Sequence, residues 1–165
     1  MTNIQNSLEI VEADLSLERH QKDVVTLTAA YALDEMGNGG PLPSETLEEL
    51  VPALRRHPTT LIFLAYLDGN AVGIANCFLG FSTFKARPLV NVHDLAVLPE
   101  YRGRNIGPRL LQAVEQKALE LGCCKVTLEV QEGNTRARHV YASQGFAQAL
   151  YGDENGGSLF YSKPL

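Results

Sequence analysis

Two hydrophobic rhythms alternate along the chain, and each change of rhythm marks an element. Residues 8–12 alternate briefly, as a strand does. Asp14 or Ser16 can cap a helix running to about residue 36, with Leu17, Val24, Leu27, Tyr31 and Ala32 or Leu33 as its inner face. The run Gly37-Asn38-Gly39-Gly40-Pro41-Leu42-Pro43 fits no regular element and is a loop. Ser44 caps a second helix to about residue 56, closed by His57-Pro58. Residues 59–67 and 71–79 are strand-like runs around Asp68-Gly69-Asn70, a hairpin signal. After a connection over 80–87, an apolar run at 90–98 has the β-branched content of a buried strand, and Pro99 ends it.

A helical stripe follows at Ile106, Leu110, Val114, Ala118 and Leu121, stopped by Gly122. Residues 124–130 form another strand, and 135–144 a short helix ended by Gly145. Residues 146–151 and 159–162 close the chain as a hairpin around Asp153-Glu154-Asn155-Gly156-Gly157. There is no internal repeat or low-complexity tract.

Between the strand at 90–98 and its helix lies Tyr101-Arg102-Gly103-Arg104-Asn105-Ile106-Gly107-Pro108. Free backbone N–H groups and the positive dipole end make such a helix start a phosphate site. Glycines let the phosphate approach, and Arg102 and Arg104 can add charge-assisted hydrogen bonds. Pro108 suits the first turn, where a missing N–H costs nothing. There is no Gly-Lys-Ser/Thr, and no acidic residue where a dinucleotide fold needs one.

Composition sharpens this reading. Hydrophobic content of 45% and charged content of 20% are those of an ordinary globular chain, and 165 residues suffice for one domain over 1–165. A net charge of -5 argues against a nucleic-acid partner. Yet Arg102, Arg104, Arg136 and Arg138 gather in two loop-to-helix segments, which suits a polyanionic ligand. No apolar run reaches the ~18 residues of a membrane span, and the first ten residues lack an export pattern. Three cysteines, two adjacent at Cys123 and Cys124, give neither a disulfide framework nor zinc spacing. They read as small core residues of a reduced, cytoplasmic protein, with no metal site and no membrane partner expected.

The strand–loop–helix stretch resembles motif A of the GCN5-related N-acetyltransferases, in which Arg/Gln-x-x-Gly-x-Gly/Ala cradles the coenzyme A pyrophosphate. Arg102 and Gly107 fill the outer marked positions, and Asn105 replaces the middle glycine. Asparagine tolerates the left-handed conformation better than most residues, so the loop should survive. The order of elements is also similar to that family's. The resemblance implies an α/β (α+β) acyltransferase fold with one mixed, mostly antiparallel sheet of about seven strands and about four helices. An acetyl-CoA cleft would lie between its two central strands. The whole loop from Arg102 through Gly103, Arg104, Asn105, Ile106, Gly107 and Pro108 would then bind cofactor, as would Leu95, Ala96 and Val97. The Ala96 and Val97 backbone would pair with the pantetheine arm like a neighbouring strand.

A second family signature is Asn134-x-x-Ala137-x-x-x-Tyr141, followed by Gly145-Phe146. The resemblance gives Asn134 and Ala137 a place at the pantetheine and Tyr141 a place at the thioester sulfur. Read plainly, Asn134 is an N-cap and Tyr141 a core aromatic. For the general base, Glu129 stands at the spacing from Tyr141 found in enzymes that modify ribosomal-protein N-termini. His93 and Asp94 stand where polyamine acetyltransferases carry Glu-Asp. Along a regular strand those two cannot share a face, and Glu129 is favoured. Tyr31, Asp34 and Glu35, with Phe81, are expected at the acceptor, as an acidic wall under a glycine-rich lid; a solvated helix end is the plainer alternative.

The expected activity is acetyl transfer to a small-molecule amine of polyamine, amino-sugar or amino-acid type, with a homodimer left open. Acetylation of a protein N-terminus or lysine, and a non-catalytic acetyl-CoA-binding module, are the alternatives.

Overall fold

The computed structural model describes residues 7–150 and 156–165. Its centre is a five-stranded sheet in the order β1 (Leu8–Glu12), β2 (Thr60–Leu67), β3 (Asn70–Ser82), β4 (Arg87–Val97) and β5 (Val126–Leu128). The first four strands are antiparallel neighbours, and β5 runs parallel to β4. Helices α1 (Glu18–Ala32) and α2 (Ser44–Arg56) precede β2. Helix α3 (Ile106–Glu120) joins β4 to β5, and α4 (Thr135–Ser143) follows. Among the described residues no helix is long and apolar enough to cross a membrane.

Burying both faces of the sheet explains the near-continuous apolar run of β2. Leu61, Phe63, Ala65 and Leu67 pack with Ile106, Leu110, Leu111 and Val114 of α3. Ile62, Leu64 and Tyr66 pack with Val24 and Leu27 of α1 and Val51 of α2. Alternation thus feeds two cores at once. Asp68 and Gly69 both take positive φ, 51° and 80°, which makes the β2–β3 link a two-residue hairpin turn.

β4 contains the irregularity that matters for the site. Val90, Val92, Leu95 and Val97 all pack on the α3 side, whereas Ala96 and Leu98 pack on the α1/α2 side. The parity of the α3-facing positions therefore switches between residues 92 and 95. Cys77 pairs with Val92 and Asn76 with Asp94, so His93 has no partner and forms a bulge. The expectation that His93 and Asp94 must point oppositely assumed a regular strand, and it fails here.

Other expectations are corrected in detail. The sheet has five strands rather than seven among the described residues. Of the expected C-terminal hairpin, the described residues show the bridge Leu150–Gly157 alone, and residues 151–155 lie outside the described set. Phe146 donates its N–H to Tyr141 O and so closes α4 instead of starting a strand, and Leu159, Phe160 and Tyr161 stay exposed. The strand expected at 124–130 shortens to β5.

α1 starts at Glu18 because the Asp14 carboxylate accepts from Ser16 N and Oγ, a turn that precedes the helix, and Leu17 is left exposed. It ends at Ala32, before a turn in which Gly37 N donates to Asp34 O. Ser44 is the first residue of α2, not its cap. Leu121 falls past the end of α3 and is 41% exposed, so the buried stripe stops at Ala118. Cys77 is a core residue, but Cys123 and Cys124 are only half-buried.

The loop before α3 holds two left-handed residues, Gly103 at φ 76° and Asn105 at φ 62°. Asn105 is the residue that departs from the family motif, and it occupies the conformation a glycine would supply. Two substitutions test whether that conformation is what the position requires. Asn105→Val should destabilise by about 1–2 kcal/mol, the cost of a Cβ-crowded left-handed residue. Asn105→Gly should stay within about 0.5 kcal/mol, because relief of strain is offset by the freer unfolded chain. Denaturant unfolding of the two variants measures both.

Candidate active site

β4 and β5 are paired over three positions only, Val90–Val126, Asn91–Thr127 and Val92–Leu128. Beyond them the chains part. Leu95, Ala96 and Val97 line one wall of the resulting cleft, and Glu129, Val130 and Gln131 line the other. The loop before α3 and one face of α4 complete a space of about 870 Å³. Because β5 is the edge strand among the described residues, the cleft lies beside β4 rather than at the middle of the sheet.

The loop offers a set of backbone donors. The N–H groups of Gly103, Arg104, Asn105, Ile106 and Gly107 donate to no acceptor among the described residues. Two positive-φ residues and the α3 start leave them without the i−4 partners of a helix interior. A Cβ built on Gly107 would find only Val140 Cγ1, at 4.0 Å, and one on Gly103 nothing within 4 Å. The surface is therefore open to a ligand. Arg104 is exposed, its guanidinium 5.4 Å from the Tyr101 ring centre. Arg102 is differently engaged. Its Nε donates to Val97 O at 2.9 Å, and its Nη2 pairs with Asp34.

On α4, Asn134 caps the helix by accepting from Ala137 N at 3.1 Å. Asn134, Ala137, Val140 and Tyr141 all line the cleft. The Tyr141 ring lies 6.1 Å from that of Phe146. Burial, with Tyr31 close by, pushes the Tyr141 hydroxyl up to about 12. Burial followed by the charges of Asp94 and Asp34 raises Tyr31 as well. Glu129 stands just past the end of β5, exposed at the rim of the cleft.

Several sequence candidates are not brought here. His93 projects outside the cleft, its ring edge-on to Phe78 at 5.8 Å. Asp94 lies behind the cleft wall and accepts from Asn76 Nδ2 at 3.1 Å. Asn76 is only 5% exposed, and its Oδ1 has no partner among the described residues. Glu35 is exposed and away from the lining, and Phe81 is 63% exposed on the far end of β3. Asp34 lines the cleft but is held by Arg102, so Tyr31, Asp34 and Glu35 form no shared acidic wall. Met36, Gln131, Arg136 and His139 line the cleft without having been singled out for it. Only Arg136 carried a sequence signal, as part of the arginine cluster.

Tyr141 supplies a test of this environment. Its folded value of about 12 lies above the ordinary tyrosine value of about 10. The proton is therefore held more tightly in the folded state. That contribution to stability is present below pH ~10 and is lost as pH rises through ~12. Tyr66 is also raised to about 12, by burial and then by its bond to Asp23. Tyrosinate absorbance should accordingly lose one transition near pH 12 in Tyr141→Phe, and a separate one in Tyr66→Phe. A Tyr141 component appearing near pH 10 would place the hydroxyl in open water.

The model of the Acetyltransferase (GNAT) family matches residues 27–146. An uncharacterized N-acetyltransferase of Archaeoglobus fulgidus is 39% identical over 98 residues, which is 59% of this chain and 64% of that protein. The thialysine N-epsilon-acetyltransferase of Bos taurus is 36% identical over 74 residues, 45% of this chain and 43% of its own length. The chain thus spans less than two thirds of the length of these curated relatives. Among solved structures, the aminoglycoside N-acetyltransferase AAC(6')-Iy in complex with CoA has a TM-score of 0.76 at 19% identity, over 99% of both chains, a likeness of fold. With a matching family model that takes in β2 to β5, the phosphate-type loop and α4, this chain belongs to the GNAT acetyltransferase family.

Proposed function

We propose that the chain is a single N-acetyltransferase domain that moves an acetyl group from acetyl-CoA to the primary amine of a small molecule. The observation that carries this reading is the row of unpartnered N–H groups from Gly103 to Gly107, at the mouth of a cleft where two strands part. Those donors, the start of α3 and the exposed Arg104 suit a pyrophosphate. The unpaired inner edge of β4 at Leu95, Ala96 and Val97 suits an extended amide-bearing arm. Bound acetyl-CoA supplies the acetyl thioester.

The rest of the chemistry belongs to the chain. An amine of pKa about 10.4 is only ~0.1% neutral near pH 7.4, a cost of ~4 kcal/mol that a base can offset. Glu129 Oε lies at the solvent-exposed rim, where it can accept that proton and pass it to water. The Tyr141 hydroxyl keeps its proton at neutral pH, because its value stands near 12. Handing the proton fully to a thiolate of pKa about 8.5 would be uphill by roughly 5 kcal/mol. Tyr141 therefore acts by hydrogen bonding to charge on the departing sulfur rather than by transfer. His93 and Asp94 are set aside, one outside the cleft and the other tied to Asn76. The relatives' names include both acceptor classes. Thialysine and aminoglycosides are small amines, whereas an N-alpha-acetyltransferase of Arabidopsis thaliana acts on a terminal amine, so the choice of a small acceptor is this proposal's own.

An amine panel with acetyl-CoA, followed by free-thiol release, tests the reaction. Polyamines, amino sugars, amino acids and short peptides form its arms. Turnover on one of the small amines supports the proposal. Turnover on peptides alone moves the acceptor to a protein terminus, and cofactor binding without turnover on any arm reduces the chain to a binding module. Two variants assign the parts. Gly107→Val finds room in the fold but puts a branched side chain over the donors, so the acetyl-CoA dissociation constant should rise at least ~10-fold with the circular dichroism unchanged. Tyr141→Phe keeps the ring and should lower kcat, by up to the ~10²-fold typical of losing one charge-stabilising donor, with little change in cofactor affinity. Full turnover in that variant would make Tyr141 a packing residue.

A further inference from the structure

Asp34 is the one acidic side chain of the cleft whose two oxygens are both committed to the protein. Oδ1 accepts from Met36 N at 3.0 Å, and Oδ2 pairs with the Arg102 guanidinium. Its side chain is only 11% exposed. Arg102 in turn gives Nε to Val97 O, the last residue of β4. The ion pair thus ties three parts together: the end of a cleft wall, the start of the donor loop, and the turn that follows α1.

That turn is itself built tightly and reaches the opposite wall. At Gly37 an added Cβ would lie 2.0 Å from Tyr31 O, so no side chain fits there. Met36 O accepts from Tyr31 Oη and from Gln131 Nε2, each at 3.4 Å. Gln131 lies beyond β5, on the wall facing β4. The turn 34–37 therefore bridges the two chains where they part, with Arg102 at one end and Gln131 at the other. Glycine at 37 and the Asp34 carboxylate are its two sequence requirements.

We propose that Asp34 is a positioning residue: through Arg102 it fixes the donor loop against the end of β4 and holds the cleft at its working width. This rests on the reading of the cleft as an acetyl-CoA site, and it replaces the role of acceptor-binding carboxylate that sequence suggests for Asp34. Without the carboxylate, the Arg102 guanidinium keeps Val97 O as its one protein partner. The loop then samples more conformations, and binding must select the one that fits.

Asp34→Asn, Arg102→Gln and the double variant test the proposal. Asp34→Asn should raise KM for acetyl-CoA about 10-fold, more than it lowers kcat or raises KM for the amine. The double variant, in which two amides can pair, should be no worse than the worse single one. A rise confined to the amine KM would return Asp34 to acceptor binding and overturn the proposal, as would strictly additive losses. A cofactor-independent readout is the exchange rate of the Arg102 Nε proton by NMR. In Asp34→Asn it should quicken about tenfold or more, and an unchanged rate overturns the proposal. Should the asparagine variant fail to fold, Asp34→Glu keeps the charge but moves it, and the same two readouts should shift in the same direction. Wild-type protein that binds no acetyl-CoA would bring down the functional reading, while Nε exchange would still judge what Asp34 holds.

Discussion

Hydrogen bonding between β4 and β5 lasts three residues and then stops, and the site depends on that interruption. A strand edge inside a protein normally finds a partner, because an unpaired N–H or C=O away from water costs about 1–3 kcal/mol. Here the edge at Leu95 and Ala96 is left facing a cleft, where water or a ligand must satisfy it, while Val97 O is taken by Arg102 Nε. β4 tolerates this because its other edge is held by β3. β3 pairs with β4 through Val97, and α3 packs beneath both strands. Rigidity on one side permits an unsatisfied edge on the other.

The bulge at His93 belongs to the same device. It shifts the α3-facing positions from Val90 and Val92 to Leu95 and Val97, so both halves of β4 contribute to one core despite the change of register. It also stands next to the last residue paired with β5. Bulges bend a strand and increase its twist, and a bend at this point carries the second half of β4 away from its parallel neighbour. α3 starts at Ile106, nine residues after β4 ends at Val97, and the open edge and the helix start line one space. On a chain of net charge -5, Arg136 lines that space and Arg104 stands exposed on the loop, while the charge of Arg102 is paired with Asp34.

Much of this was legible in local sequence, and what was not has a common cause. The strand at 90–98, the loop and the helix of Ile106, Leu110, Val114 and Ala118 follow from β-branched content, glycine and a four-residue stripe. The left-handed Asn105 follows from residue type. The bulge does not, because it is a property of how Cys77 and Asn76 pair across to β4. Nor does the Asp34–Arg102 pair, whose partners are 68 positions apart. Asp34 next to Glu35 resembles a free acidic patch until the arginine is seen to claim it. The C-terminal hairpin failed for the opposite reason. Its turn residues and apolar runs gave a sound local signal, but among the described residues Leu159, Phe160 and Tyr161 stay exposed and join no strand. Local pattern sees propensity, and tertiary pairing decides whether it is used.

The two ionisable groups to which the proposed reaction gives roles, Tyr141 and Glu129, are separated by environment rather than by residue type alone. Tyr141 lies 6.1 Å ring to ring from Phe146, and burial, with Tyr31 close by, holds its proton on up to about pH 12. Glu129 stands past the end of β5 in contact with solvent. A group that stabilises charge on a leaving sulfur must stay protonated through the reaction, which burial secures. A group that removes a proton from an ammonium must release it before the next turnover, which burial would slow. Exchanging the two settings would leave the carboxylate desolvated and so protonated more readily, and less able to accept a proton from an ammonium. The strand parting sets this arrangement as well. It ends β5 early enough to leave Glu129 at the rim, and it lets α4 bring Tyr141 against the inner wall.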